Sequence, residues 1–337
     1  MTGSPDLPDV SDLLERAQVV ALPMRVRFRG VDVREAVIFE GPSGWGEFAP
    51  FVEYDDREAS RWLASAIEAA YAAWPDPRRD VVPVNATVPA VGPDEVPAVL
   101  ARFDGCTTAK VKVAERGQTL ADDLDRVAAV RDTMGRSAHI RVDANGGWTL
   151  DQAVEAIGKL AAHDLEYAEQ PCATVDELTR LRKALARNGI DVPVAADESI
   201  RKAEDPLLVA RLEAADLVVV KVAPLGGVAR ALEIVEACGL PAVVSSALDT
   251  SVGIAAGVAL AAALPGLDHA CGLGTVSLFE RDVAREPLRP RGGVLVPGRA
   301  EPDREALAAL AAPDERQRWW RERLVRCHAL LADGSPR

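Results

Sequence analysis

The sequence predicts an α/β protein: a (β/α)8 barrel of the TIM type with an N-terminal α+β capping domain. Three observations lead there. From about Val82, short β-like runs alternate with longer Ala/Leu-rich helical runs, the texture of a parallel sheet with crossover helices. Eight such runs recur at roughly 25–30 residues within about 200, the size of a closed barrel. The stretch before Val82 has a different texture, with a hairpin followed by one helix.

In chain order, VDVREAVIF (Val31 to Phe39) alternates like a strand, GPSG makes a turn, and GWGEFAPF follows as a second short strand. REASRWLASAIEAAYAAW (Arg57 to Trp74) has helical spacing, and PDPRRD breaks it. The capping domain is therefore expected over residues 1–83, the barrel over 84–289, and a segment folding back on the capping domain over 290–337. Barrel strands are expected near residues 82–90, 108–113, 138–143, 165–170, 192–197, 216–223, 241–246 and 269–274. Between them, TLDQ and TVDE open helical runs with the Thr-x-x-Gln/Glu form of a capping box. An open doubly wound sheet is the alternative, but no Gly-rich dinucleotide loop supports it.

Composition narrows the function classes. The chain has 337 residues, 48% hydrophobic and 27% charged, with a formal net charge of −13. That size allows a large core. The acidic balance and the lack of a basic run interleaved with aromatics argue against nucleic-acid binding. Five scattered cysteines, without CxxC or metal-ligand spacing, suggest buried reduced thiols and a cytoplasmic protein. The N-terminus has no apolar signal segment. The most apolar window, Val252 to Gly266, is too short to span a bilayer and reads as a buried helix ending at Pro265. No membrane partner is expected, and the oligomeric state is left open.

The chemistry is carried by charges at strand ends. AKVKVAERG (Ala109 to Gly117) alternates Lys with Val, so Lys110 and Lys112 share one face of a strand. RVDAN ends the next strand with Asp143, YAEQP the next with Glu169, AADES the next with Asp197, and LVVVKVAP carries Lys221. Each has an ordinary reading: a turn former, a helix cap, a lysine reaching to solvent. Taken together, they gather at one barrel mouth, where active sites sit. Three carboxylates without His or Cys suit Mg²⁺, and oxygen ligands accept Mn²⁺ as well. A metal holding a substrate carboxylate would stabilise an enediolate, and a lysine near other cations could serve as the base.

These residues resemble the enolase superfamily, muconate-lactonizing subgroup, over nearly the whole chain. MRVRFRG (Met24 to Gly30), GWGEFAPFVEYDD (Gly44 to Asp56), RVDANGGW (Arg141 to Trp148), KVAPLGG (Lys221 to Gly227) and SSALDTSVG (Ser245 to Gly253) are similar to the o-succinylbenzoate synthase family of the short actinobacterial type. The resemblance implies Lys112 as general base, Lys221 as the cation on the opposite face, and Lys110 as a helper touching the substrate carboxylate. It implies Asp143, Glu169 and Asp197 as magnesium ligands, braced by Arg141, Asn145 and Glu198. It places Ser245 and Gly272 at a succinyl tail, and Arg27, Phe51 and Tyr54 in lid loops. The implied partner is a small-molecule carboxylate, and the implied reaction a syn dehydration of the menaquinone pathway. N-succinylamino acid racemases share these residues and stay open as the alternative. Dipeptide epimerases usually carry Asp-x-Asp where this chain reads CGLGT, and muconate cycloisomerases are usually longer.

Overall fold

The structure is a computed structural model that describes residues 7–201 and 205–334. Three antiparallel strands open the chain: β1 (Gln18–Phe28), β2 (Val31–Gly41) and β3 (Gly44–Phe48), in the order β1-β2-β3. The expected hairpin is β2–β3. β1 was not expected, because Pro23 interrupts its pattern. Pro23 is tolerated since β1 is a sheet edge, and the pairing register shifts between Pro23 and Phe28. The helix Asp56–Tyr71 buries Trp62, Leu63 and Ile67 against this sheet. The C-terminal helix Asp314–Ala332 packs on it too, with Trp320 edge-on to Phe48.

A short β4 (Val82–Pro83) follows, and then the barrel strands. These are β5 (Ala86–Val88), β6 (Thr108–Lys112), β7 (His139–Asp143), β8 (Leu165–Glu169), β9 (Val194–Ala196), β10 (Leu217–Val220) and β11 (Ala242–Val244). Among the described residues they form a seven-stranded sheet in sequence order, every pairing parallel. Two expectations are corrected here. The run at residues 82–90 is two strands, β4 pairing with β12 (Val294–Leu295) and β5 joining the barrel. The eighth strand near residues 269–274 is reduced to two bridges, Cys271 to Val84 and Gly272 to Ser245. Those bridges suffice to close the curl. Cys271 N donates to Pro83 O at 2.7 Å on one side, and Gly272 N to Val244 O at 2.8 Å on the other.

The helices between strands start where the sequence marks them. Thr149 and Gln152 cap each other's backbone amides at 3.4 and 3.0 Å, and Thr174 and Glu177 do so at 3.2 and 3.1 Å. The helix Ser251–Ala263 is buried on nearly every face. Among the described residues no helix is long and apolar enough to cross a membrane.

The capping domain is docked through acids placed on barrel-helix N-termini, where amides lack partners and the dipole favours negative charge. Glu68 accepts from Val228 N at 2.5 Å and Ala229 N at 2.9 Å, opening the helix Val228–Cys238. Glu47 accepts from Thr250 Oγ1 at 2.6 Å and Gly253 N at 2.8 Å, opening the helix Ser251–Ala263. Gly227 makes room for the first of these: its φ is +134°, and a Cβ there would lie 2.5 Å from a Glu68 carboxylate oxygen. We expect Gly227→Ala to destabilise the fold by about 2 kcal/mol or more, through strain and displacement of that carboxylate. Glu68→Ala should cost about 1–2 kcal/mol. Urea unfolding of both variants checks the ranking.

Candidate active site

Strand alternation decides what the barrel encloses. On β6, Ala109 and Val111 join the core cluster between barrel and helices, and Lys110 and Lys112 face the interior. The same period turns Arg141 and Asp143 inward on β7, and Tyr167 and Glu169 on β8. Asp197 and Lys221 follow the last residues of β9 and β10. All six lysine and carboxylate residues are buried, none more than 6% exposed. Charges this deep need partners.

They find them in one another. Lys110 Nζ lies 3.0 and 3.1 Å from the two Glu169 oxygens and 3.5 Å from Asp143. Lys112 Nζ pairs with Asp143 Oδ2 and donates to Asn145 Oδ1 at 2.8 Å. Lys221 pairs with Asp197, which also accepts from Arg201 Nε at 3.0 Å. Glu198 accepts from Arg201 Nη2 at 2.6 Å and from Asn145 Nδ2 at 3.3 Å. Lys110, Lys112, Lys221 and Arg201 thus answer Asp143, Glu169, Asp197 and Glu198, a balanced set.

The two lysines of the KVK run differ in proton affinity. Burial lowers Lys112 most, and Lys110 and Arg29 add to it; although Asp143 opposes them, Lys112 falls to about 8. Lys110 is also desolvated by burial, but Glu169 and Asp143 outweigh that and hold it well above an ordinary lysine. Among the acids, burial and the neighbouring Asp143 raise Glu169 to about 7. Burial would raise Asp143 too, yet Lys112 and Lys110 hold it well below the carboxylate range. Asp197 is held low in the same way by Lys221 and Arg201.

Gln170 fixes one wall. This fully buried residue has φ +38°. Its Oε1 accepts from Asp197 N at 2.9 Å and Ser199 N at 3.2 Å, and its Nε2 donates to Ser199 Oγ at 2.8 Å. Asn145, at φ +48°, is likewise set by its own amide donating to Asp143 Oδ1 at 3.0 Å. Backbone strain of this kind recurs at functional sites.

A cavity opens above the ammonium groups. Lys110, Lys112, Lys221, Ser245, Gly272 and Phe51 line it, with Phe28, Arg29, Arg201, Thr87 and Leu248. Ser245 Oγ lies 3.4 Å from Lys110 Nζ, and a Cβ on Gly272 would come within 2.5 Å of that hydroxyl. Three expected residues stand elsewhere. Arg27 is 69% exposed and faces Asp32 at 3.8 Å; the arginine at the cavity is Arg29, two residues along. Tyr54 lies behind the wall, its hydroxyl accepting from Arg201 Nη1 at 3.0 Å while its ring packs on Phe51. Arg141 sits one layer below the carboxylates. It reaches Glu166 at 2.5 Å, Tyr167 Oη at 2.9 Å and Ala270 O at 2.7 Å. The β7–β8 register shifts beside it, between Ile140 and Arg141.

Among the described residues no three His, Cys, Asp or Glu side chains stand as a ready metal-ligand set. Each of the three carboxylates is instead paired with an ammonium group. The donor set still fits a hard divalent cation. It is all oxygen, with Asp143 and Glu169 in register on adjacent strands and Asp197 just beyond the next. Arg29, Arg201, Gln170 and Thr87 were missed from the sequence. Arg29 and Gln170 lie inside MRVRFRG and YAEQP, so position within a recognised run was the available signal.

Residues 19–70 match the family described as Enolase N-terminal domain-like, and residues 95–302 the Enolase C-terminal domain-like family. The o-succinylbenzoate synthase of Mycolicibacterium smegmatis is 61% identical over 326 residues, covering 96% of this chain and 99% of that one. That of Mycobacterium tuberculosis H37Rv is 59% identical over 328 residues, covering 97% and 98%. Among solved structures, a muconate lactonizing enzyme from Pseudomonas fluorescens complexed with muconolactone superposes with a TM-score of 0.74 at 21% identity, covering 88% of this chain and 98% of that one. The L-Ala-D/L-Glu epimerase from Bacillus subtilis gives 0.70 at 24%, covering 85% and 96%. These last two likenesses show the fold alone. With both enolase-like regions matched and about 60% identity to the synthases end to end, the chain belongs to the o-succinylbenzoate synthase family of the enolase superfamily.

Proposed function

We propose that this chain is an o-succinylbenzoate synthase, a carbon–oxygen lyase. It removes water in syn fashion from 2-succinyl-6-hydroxy-2,4-cyclohexadiene-1-carboxylate, for menaquinone biosynthesis in the cytoplasm. The near full-length identity to synthases supports the reaction. One geometric observation carries the mechanism: two buried lysines, Lys112 and Lys221, face one cavity from β6 and from the end of β10, with the three carboxylate positions between them.

Lys112 is the base. With its affinity lowered to about 8, a fraction of it is neutral at physiological pH, and Asn145 Oδ1 helps aim its Nζ. Lys110, a permanent cation, receives the substrate carboxylate, and Lys221 steadies charge on the opposite face. Once Lys112 has taken the α-proton it is an ammonium group on the face where the 6-hydroxyl departs. It returns the proton to that oxygen, water leaves, and the ring becomes aromatic. Asp143, Glu169 and Asp197 would hold Mg²⁺, or Mn²⁺, and the cation would supply positive charge for the enediolate. Electrostatics favour such a cation. With Lys112 neutral the site has no surplus of cations beyond Arg29, so a substrate with two carboxylates adds negative charge that a divalent ion offsets.

The test is to add the substrate with Mg²⁺ and follow loss of diene absorbance beside a chelated control. Metal-dependent conversion to o-succinylbenzoate is expected; no conversion would overturn the assignment. Racemisation of N-succinylamino acids is the second reading, since Lys221 is buried on the face a second proton exchange needs. Lys221→Arg separates the two. A fixed cation should leave measurable dehydration, reduced about 10- to 100-fold, while racemisation disappears because arginine is not a base near neutral pH. Equal loss of both activities would contradict this division of roles.

A further inference from the structure

Thr87 has an unexplained hydroxyl. It lies on β5, the first barrel strand, directly beside Lys110 in the parallel register. Its neighbours Ala86 and Val88 pack outward in the barrel core. Thr87 itself lines the cavity with Lys110, Lys112, Lys221 and Ser245. It is 1% exposed, and among the described residues its Oγ1 has no hydrogen-bond partner. The other hydroxyls lining this cavity are satisfied. Ser245 Oγ accepts from Lys110 at 3.4 Å, Ser246 Oγ reaches Gly272 O at 3.0 Å, and Thr275 Oγ1 pairs with Ser246 at 2.7 Å. A buried hydroxyl without a partner costs stability that valine, of the same shape, would not.

We propose that Thr87 is a substrate-binding residue, whose hydroxyl donates to the acyl carbonyl oxygen of the succinyl tail. The barrel order supports this choice of group. Strand β5 stands between the closing segment that carries Gly272 and strand β6 that carries Lys110. Its side chain therefore lies between the end of the cavity assigned to the tail and the end assigned to the reacting carboxylate. In the substrate, the carbonyl that joins tail to ring occupies that intermediate place. The inference rests on the proposed reading for the tail, but N-succinylamino acids carry an amide carbonyl in the same relation, so it does not depend on which reaction runs.

Thr87→Val and Thr87→Ser test it, by KM and kcat for the dehydration, calorimetric affinity for o-succinylbenzoate, and thermal melting. Thr87→Val should raise KM and weaken product binding by about tenfold, with kcat changed less than about threefold. Its melting temperature should be unchanged or higher, which a merely structural threonine would not give. Thr87→Ser, which keeps the hydroxyl, should stay close to wild type. Unchanged KM and product affinity in Thr87→Val overturn the proposal, and so does equal loss in both variants, which would assign the effect to the methyl group. If the wild type leaves the dehydration substrate untouched, the proposed reaction fails separately. The two variants are then read on N-succinylamino acid racemisation, where an unchanged KM in Thr87→Val again overturns the contact.

Discussion

Lys112→Ala should lower kcat by about 10³- to 10⁴-fold, with o-succinylbenzoate affinity changed much less. The residue is expected to make the one proton transfer that no neighbour can take over. Lys110 lies on the same strand face but is held as a cation by Glu169 and Asp143. Lys221 approaches from across the barrel. Exchange of the substrate α-proton with solvent deuterium should vanish together with dehydration, since both begin with the same abstraction. The wild-type pH profile carries the same signature. A base acts only when deprotonated, so kcat/KM should rise about tenfold per pH unit below the Lys112 value and level off above about 8. Arg29 is one of the cations lowering Lys112, so Arg29→Ala should move that limb to higher pH. A limb that stays in place would remove Arg29 from the electrostatics of the base, and substantial turnover in Lys112→Ala would remove Lys112 from its role.

The second large effect is loss of the cation. Treatment with a chelator should reduce turnover by at least about 10³-fold, and Mg²⁺ or Mn²⁺ should restore it. The reasoning is charge balance. Three buried carboxylates and the partly buried Glu198 face Lys110, Lys112, Lys221 and Arg201, and Arg29 lies 3.9 Å from Glu198, so a doubly negative substrate enters a site with at most one cation in excess. Because the cation binds the folded chain, it should also raise the melting temperature. At a hundred times its dissociation constant that amounts to about 2.7 kcal/mol. Glu169→Gln should abolish both effects together, since it removes one carboxylate charge beside Asp143. Full activity in chelator, with no shift in melting, would exclude a metal from the mechanism.

Much of this site was legible beforehand because period and position carry physical meaning. A Val-Lys alternation puts lysines on one face whatever the fold. Acids that end successive apolar strands must meet if those strands are parallel neighbours, as β7, β8 and β9 are. Capping boxes are short-range, so Thr149 and Thr174 marked their helices without help from the rest of the chain. Arg29 was harder. Arg27 lies at the end of β1 and Arg29 in the turn just beyond it, and only that turn, with Arg29 at φ +51°, decides which guanidinium reaches the cavity. Arg201 pairs with Asp197 and Glu198 at helical spacing, four and three residues back, but its third partner, the Tyr54 hydroxyl, is brought to it only in the folded chain.

The sequence by itself determined the barrel class, the capping hairpin, the helix starts and the six charged residues that face one another inside. All of these follow from periodicity or from interactions a few residues apart. Tertiary structure alone decided the rest. The eighth strand shrank to two bridges because Cys271 and Gly272 need only join Val84 and Ser245 for the sheet to close. Two adjacent lysines acquired opposite proton affinities because Glu169 stands against one, while burial dominates the other. The acids Glu47 and Glu68 became caps for helices far along the chain because the docked domain brings them to unpaired amides. Thr87 was left with a bare hydroxyl facing the lysines. Such outcomes depend on distances between segments remote in sequence, and local pattern carries no measure of those.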